Sequence, residues 1–135
     1  MVRRPAGVIV AALVMAALAG SAASADCLKA NTPDQRAEGK LVSVRISIEA
    51  YRLKEQAYIL QLRAPACLEG TDDYDKVEKT QRIHVFSMDD AMRKRMRGLV
   101  GKNVRVTGNA FGEHTAHHHA PIVTVSYTHL RAQRD

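Results

Sequence analysis

Four histidines lie within six residues near the C-terminal end of this 135-residue chain. Imidazole is the commonest side-chain metal ligand, and its ordinary pKa lies near neutral pH. Three neutral imidazoles can hold Zn²⁺ and leave one position open, and Cu²⁺ also binds imidazole well. The segment therefore predicts a Zn²⁺ or Cu²⁺ site, and its candidate ligands are His114, His117, His118 and His119.

The local backbone decides how many of these rings can meet. If the segment continued as a strand, alternation would place His114 with His118 on one face and His117 with His119 on the other. A tight loop would break that alternation and let several rings converge. A second interpretation needs no metal, because imidazoles can satisfy buried backbone groups or respond to pH.

Acidic residues near the cluster are candidates for supporting roles. Glu113, or an acid of the turn at residues 72–75, could add a ligand or orient an imidazole from outside the first shell. An enzyme is not predicted, because the chain has no nucleophile elbow and no glycine-rich phosphate loop. A metal-assisted hydrolase would also need a general base, and only Glu113 is near.

The rest of the chain is rich in short alternating segments that are typical of strands. In residues 39–49, Val44, Ile46 and Ile48 alternate with polar neighbours. Further strands are predicted at residues 56–63, 82–86, 103–108 and 121–124. With a helix between the third and fourth strands, the order β-β-β-α-β-β predicts a mainly β fold, a small five-stranded OB-like barrel. A generic α+β sheet is the alternative.

The predicted helix follows residue 86. Ser87 and Asp90 have the spacing of a capping box, with Ser87 as the N-cap. Apolar residues then recur at helical spacing and predict a buried stripe, whose members are Met88, Met92, Met96 and Leu99.

Both ends of the chain are predicted to lie outside the domain. Residues 1–25 have two arginines, an apolar stretch and an Ala-Ser-Ala end, which is the pattern of a cleaved signal peptide. The apolar stretch is short for a membrane span, so no span is expected after cleavage. Residues 125–135 resemble translated sequencing-adapter read-through and have no strand or helix pattern. The domain is therefore predicted at residues 26–124, in a periplasmic or secreted protein.

Most of the charge excess belongs to the two ends. Without them the 20 basic and 14 acidic residues fall to 16 and 13, a net charge of +3. This balance gives only a weak indication of an anionic partner. Nucleic acid is not an expected partner, because few aromatic residues are available to stack on bases.

The chain has two cysteines, Cys27 and Cys67. An exported protein encounters an oxidising compartment, so a disulfide between them is expected. It would close a loop of about 40 residues and stabilise the fold by roughly 3–4 kcal/mol. Free thiols or thiolate ligands remain the alternative.

Three phrases of the sequence carry a family resemblance. They are Gly101-Lys102, Val104-x-Val-Thr-Gly108 and Phe111-x-x-His-Thr-x-His-His-His-x-Pro121. Together with Tyr58–Leu62 and Pro65–Cys67, they resemble a family of exported bacterial proteins catalogued as domain of unknown function four-four-three-one. The resemblance implies a small secreted β domain in which the histidine cluster is a shared pattern, and it implies no activity.

These observations predict an exported binding module of unknown ligand with a His-rich hairpin that binds a divalent transition metal. The alternative is a metal-free cell-envelope interaction domain that binds a protein or glycan through the barrel face.

Overall fold

The computed structural model describes the backbone of residues 26–132 and the side chains of residues 26–125. The predicted signal peptide lies outside the described residues. Within them the chain is mainly β, with six strands and one α-helix in the order β1 (Leu28–Lys29), β2 (Gln35–Ile48), β3 (Leu53–Glu69), β4 (Val77–Phe86), α1 (Asp90–Leu99), β5 (Asn103–Gly112) and β6 (Ile122–Ala132).

The five long strands pair in a closed circuit. Strand β2 pairs with β3 and β5, β3 pairs with β4, and β5 pairs with β6, all antiparallel. The circuit closes through the parallel pair β4–β6. The predicted mainly β class and the order of the long strands and helix are confirmed. The finer description as an OB-like barrel stays a prediction, and the sheet has a sixth, two-residue strand, β1, which the sequence pattern did not indicate.

The interior of the circuit is apolar. Strand register aligns Leu41, Leu60, Ile83 and Ile122 across four neighbouring strands. All four side chains are fully buried. Burying each one contributes about 1.5–3 kcal/mol, so this row fixes the register of the circuit.

Helix α1 covers one end of the interior through Met96, which is fully buried, and through Met92 and Leu99, which are partly buried. Two details of the helix prediction are wrong. The N-cap is Asp89, whose carboxylate accepts the N–H of Ala91 at 2.9 Å. Because the helix therefore begins at Asp90, Met88 precedes it and is 79 % exposed instead of joining the buried stripe.

The predicted disulfide is present and joins Cys27 to Cys67, 40 positions apart. It lies where β1 runs parallel to the end of β3, with Leu28 opposite Leu68. The disulfide thereby holds β1 against the end of β3, beside the core residue Leu68.

Strand β6 runs from Ile122 to Ala132 and pairs along β5 as far as Val104. The expectation that residues 125–135 have no strand is therefore wrong for residues 125–132. The origin of this segment stays a prediction. No helix among the described residues has the length and apolar character needed to span a membrane.

Candidate functional site

The four clustered histidines lie in the loop that joins β5 to β6, here called the histidine loop (residues 113–121). The loop is closed at its base by a hydrogen bond from the N–H of Glu113 to the carbonyl of Pro121, at 3.0 Å. Ala120 is buried beneath it. The loop is therefore a short, anchored connection between two neighbouring strands.

A buried carboxylate anchors the first end of the loop. Asp75 is fully buried and accepts the N–H of Gly112 at 2.7 Å and the side-chain amide of Asn31 at 3.1 Å. Glycine is required at residue 112, because a Cβ there would lie 1.5 Å from the carbonyl oxygen of Tyr74. Asp75, one of the acids of the turn at residues 72–75, thus anchors the histidine loop.

His117 and His119 converge on one carboxylate, that of Glu55 at the start of β3. Nδ1 of His117 contacts Oε1 of Glu55, and Nε2 of His119 lies 2.9 Å from Oε2. An ionised carboxylate can only accept, so each ring donates an N–H to it. Two imidazoles and one carboxylate, separated by more than 60 positions in sequence, thereby form a single group.

The charge of Glu55 is favoured by this arrangement. The hydrogen bond from His119 holds the pKa of the Glu55 carboxyl below its ordinary value, and the contact with His117 acts in the same direction. Partial burial opposes these effects. The carboxylate is therefore ionised at neutral pH.

His114 and His118 form a second group on the other side of the loop. Nδ1 of His118 accepts the backbone N–H of His114 at 3.2 Å, and Nδ1 of His114 donates to the carbonyl of Gly112 at 2.8 Å. The two rings meet edge to face, 4.7 Å apart, and both contact Phe111. Burial, and next the neighbouring His114, lower the pKa of His118. The lone pair on Nδ1 of His118 is therefore already used by a backbone N–H.

A fifth histidine, His84 of β4, lies directly behind the histidine loop. Its Nδ1 accepts the backbone N–H of His119 at 3.3 Å, and the two rings are 5.3 Å apart. Burial, with a further contribution from His119, lowers the pKa of His84 to about 4. The ring is thus neutral at physiological pH and acts as a fixed acceptor beneath His119.

The structure divides the four predicted ligands into two pairs. His117 and His119 contact Glu55, whereas His114 and His118 contact each other. Glu113, the predicted outer-shell acid, is exposed, and its charge opposes the lowering of the pKa of His118. In the part of the chain whose side chains are described, no three His, Cys, Asp or Glu residues stand in position to hold a metal ion. The sequence reasoning missed Glu55 and His84. No local signal marks Glu55, whereas alternation along the strand at residues 82–86 puts His84 on the face opposite Ile83.

Two exposed tyrosines flank the histidine loop. Tyr51 is 60 % exposed and its ring lies parallel to that of His117, with centroids 6.3 Å apart. Tyr74 is 46 % exposed and contacts the ring of His114 at 4.8 Å. The surface around the loop therefore offers both imidazoles and aromatic faces.

Comparison with known families supports the resemblance over part of the chain. The domain of unknown function DUF4431 matches residues 82–125, which comprise the second half of β4, all of α1 and β5, the histidine loop and the start of β6. The predicted resemblance is confirmed over this segment, and it stays a prediction for residues 58–67. No curated protein and no solved structure matches the chain.

Proposed function

We propose that this chain is an exported binding module, periplasmic or secreted, that binds a divalent transition metal ion at His117, His119 and Glu55. The observation that carries the proposal is the convergence of two imidazoles on one ionised carboxylate. Export is supported by the signal-peptide pattern of residues 1–25 and by the disulfide.

The chemistry of this group suits Zn²⁺ or Cu²⁺. Two imidazoles and one carboxylate are a ligand set that zinc accepts, and copper binds the same nitrogen donors. Three protein ligands leave a further position for water or an exogenous ligand. Of the four imidazoles predicted as ligands from the sequence, those of His117 and His119 belong to this site, and the carboxylate of Glu55 is a third ligand.

Binding requires a rearrangement, because His117, His119 and Glu55 as they stand are not in position to hold a metal ion together. The carboxylate oxygens are now occupied by the N–H groups of His117 and His119, so an ion must replace these hydrogen bonds. Both histidines belong to the loop, whereas Glu55 lies in strand β3. The loop is therefore the part expected to move, and the resonances of its backbone amides should report metal entry.

The test is calorimetric titration of Zn²⁺ and Cu²⁺ into the untagged chain. Glu55→Gln, His117→Ala and His119→Ala should each weaken binding by at least about tenfold. Matched controls are Glu113→Gln and His114→Ala, an exposed acid and an exposed histidine of the same loop, which should leave affinity within about twofold. Equal losses in His114→Ala and His118→Ala, with Glu55→Gln unaffected, would favour the four-imidazole site instead.

A second candidate function is metal-free binding of a cell-envelope protein or glycan. It is favoured by the exposed rings of Tyr51 and Tyr74 beside the histidine loop, because exposed aromatic faces are frequent anchors in binding surfaces. Pull-down of envelope components should then survive chelation and the Glu55→Gln change, and be lost in Tyr51→Ala and Tyr74→Ala.

A further inference from the structure

The charge of the domain is concentrated around its helix. Residues 88–102 contain five basic and two acidic residues, a net charge of +3. Residues 26–124 as a whole also have a net charge of +3. Outside residues 88–102, this range has eleven basic and eleven acidic residues, whose charges cancel. The segment around α1 therefore accounts for the entire excess of positive charge.

These cations lie on the outer surface. Helix α1 turns Met92, Met96 and Leu99 toward the core. The five basic residues of the segment are all exposed, namely Arg93, Lys94, Arg95 and Arg97 on the helix and Lys102 after it. We call this set, together with Met88 and Val100, the basic helix surface.

Two exposed apolar side chains flank helix α1 in the sequence. Met88, just before the helix, is 79 % exposed, and Val100, just after it, is 40 % exposed. Met88 is the most exposed large apolar side chain among the described residues. An exposed methionine adds nothing to the solvation of the helix, and it offers apolar area to a partner that has an apolar region.

Ion pairing within the basic helix surface leaves much of its positive charge available to an anionic partner. Arg93 forms an ion pair with Asp90, and both side chains are largely exposed, so solvent weakens that pair. Lys94 and Arg97 point outward from the same helix at other positions. An anionic surface facing the helix would therefore meet several cations at once.

We propose that the basic helix surface docks onto a lipid bilayer with anionic headgroups. Each Lys or Arg within a Debye length of such a bilayer strengthens binding by about fivefold. The exposed Met88 selects a bilayer over a soluble anionic polymer, because only a bilayer offers an apolar boundary next to the anionic groups. This inference is independent of the metal site, which lies in a different loop.

The experiment is co-sedimentation of the full exported protein with vesicles of phosphatidylglycerol and phosphatidylcholine, compared with phosphatidylcholine alone. Binding should require the anionic lipid and fall as salt is raised. Lys94→Gln with Arg97→Gln should weaken it by about 25-fold. The matched control, Lys29→Gln with Lys79→Gln, removes the same charge from exposed positions on β1 and β4 and should change binding by less than about threefold.

Met88→Gln distinguishes a lipid bilayer from a soluble anionic polymer as the partner. It should weaken vesicle binding and leave binding to dextran sulfate unchanged. The proposal is overturned if the anionic vesicles do not bind at low salt, or if the control pair weakens binding as much as the helix pair. It is also overturned if Met88→Gln has no effect on vesicles, which would leave a soluble anionic polymer as the partner.

Discussion

The imidazoles of the histidine loop differ in what they can still bind, because each ring nitrogen already has a particular partner. A nitrogen that accepts a backbone N–H has used its lone pair, as in His118 and His84. A nitrogen that faces a carboxylate carries a proton that a metal ion can displace, as in His117 and His119. Residue type and spacing alone cannot distinguish these cases, because the difference lies in the group that each imidazole nitrogen contacts, a backbone N–H or a carboxylate.

His84 leads to a prediction about pH. Its folded pKa of about 4 lies below the ordinary value of 6.5, so the unfolded chain binds the proton more tightly. The free energy of unfolding of the metal-free protein should therefore fall as the pH drops from about 6.5 to 4, by roughly 2–3 kcal/mol from this residue. Urea unfolding at several pH values, with a chelator present to keep the protein metal-free, measures this change in the free energy of unfolding.

The control for that measurement is His84→Asn, which keeps an acceptor near Nδ1 for the N–H of His119 and does not titrate. The difference in stability between the original protein and this variant should change with pH across the same window. Parallel pH profiles would show that His84 is not responsible.

At the scale of elements, the histidine loop is held by a neighbour that is distant in sequence. The short 3-10 turn Asp73–Asp75 supplies the carboxylate that receives the N–H of Gly112, immediately before the loop. The other end of the loop starts β6, whose Ile122 is in the core row. The loop can therefore present exposed imidazoles on a rigid base, as binding loops generally do.

Asp75→Ala tests this anchor. It would leave the buried N–H of Gly112 without an acceptor and should lower the free energy of unfolding by about 2–3 kcal/mol. Asp73→Ala is the matched control, because that carboxylate is fully exposed and its ion pair with Lys76 contributes little. Denaturant unfolding should show a change below about 0.5 kcal/mol for the control. Similar losses in both variants would contradict the anchoring role.

The elements that could be predicted are those with a local cause. Alternation identified the long strands, and the apolar spacing of Met92 and Met96 identified the helix. The N-cap was misplaced by two positions because Ser87 and Asp89 are both good caps. Strand β1 was missed because two residues carry no periodicity, and residues 125–132 form a strand through pairing with β5 although their sequence lacks a clear pattern.

At the scale of the whole molecule, the site was predictable in part. The position of the histidine cluster follows from the sequence. The pairing of its rings does not, because alternation predicts it only for a strand and residues 113–121 form a loop. Glu55 could not be assigned, because it reaches His117 only after β3 and the loop are brought together by the closed circuit of strands. Long-range closure is a property of the fold, and no local pattern encodes it.

The disulfide tests how far the site depends on the rest of the molecule. Replacing Cys27 and Cys67 by serine removes a constraint on the unfolded chain and should lower the free energy of unfolding by about 3–4 kcal/mol. Because that constraint acts mainly on the unfolded state, metal affinity measured well below the unfolding temperature should stay within about twofold. A larger loss of affinity would mean that β1 shifts, because Asn31 follows it and hydrogen-bonds to Asp75, the anchor of the histidine loop.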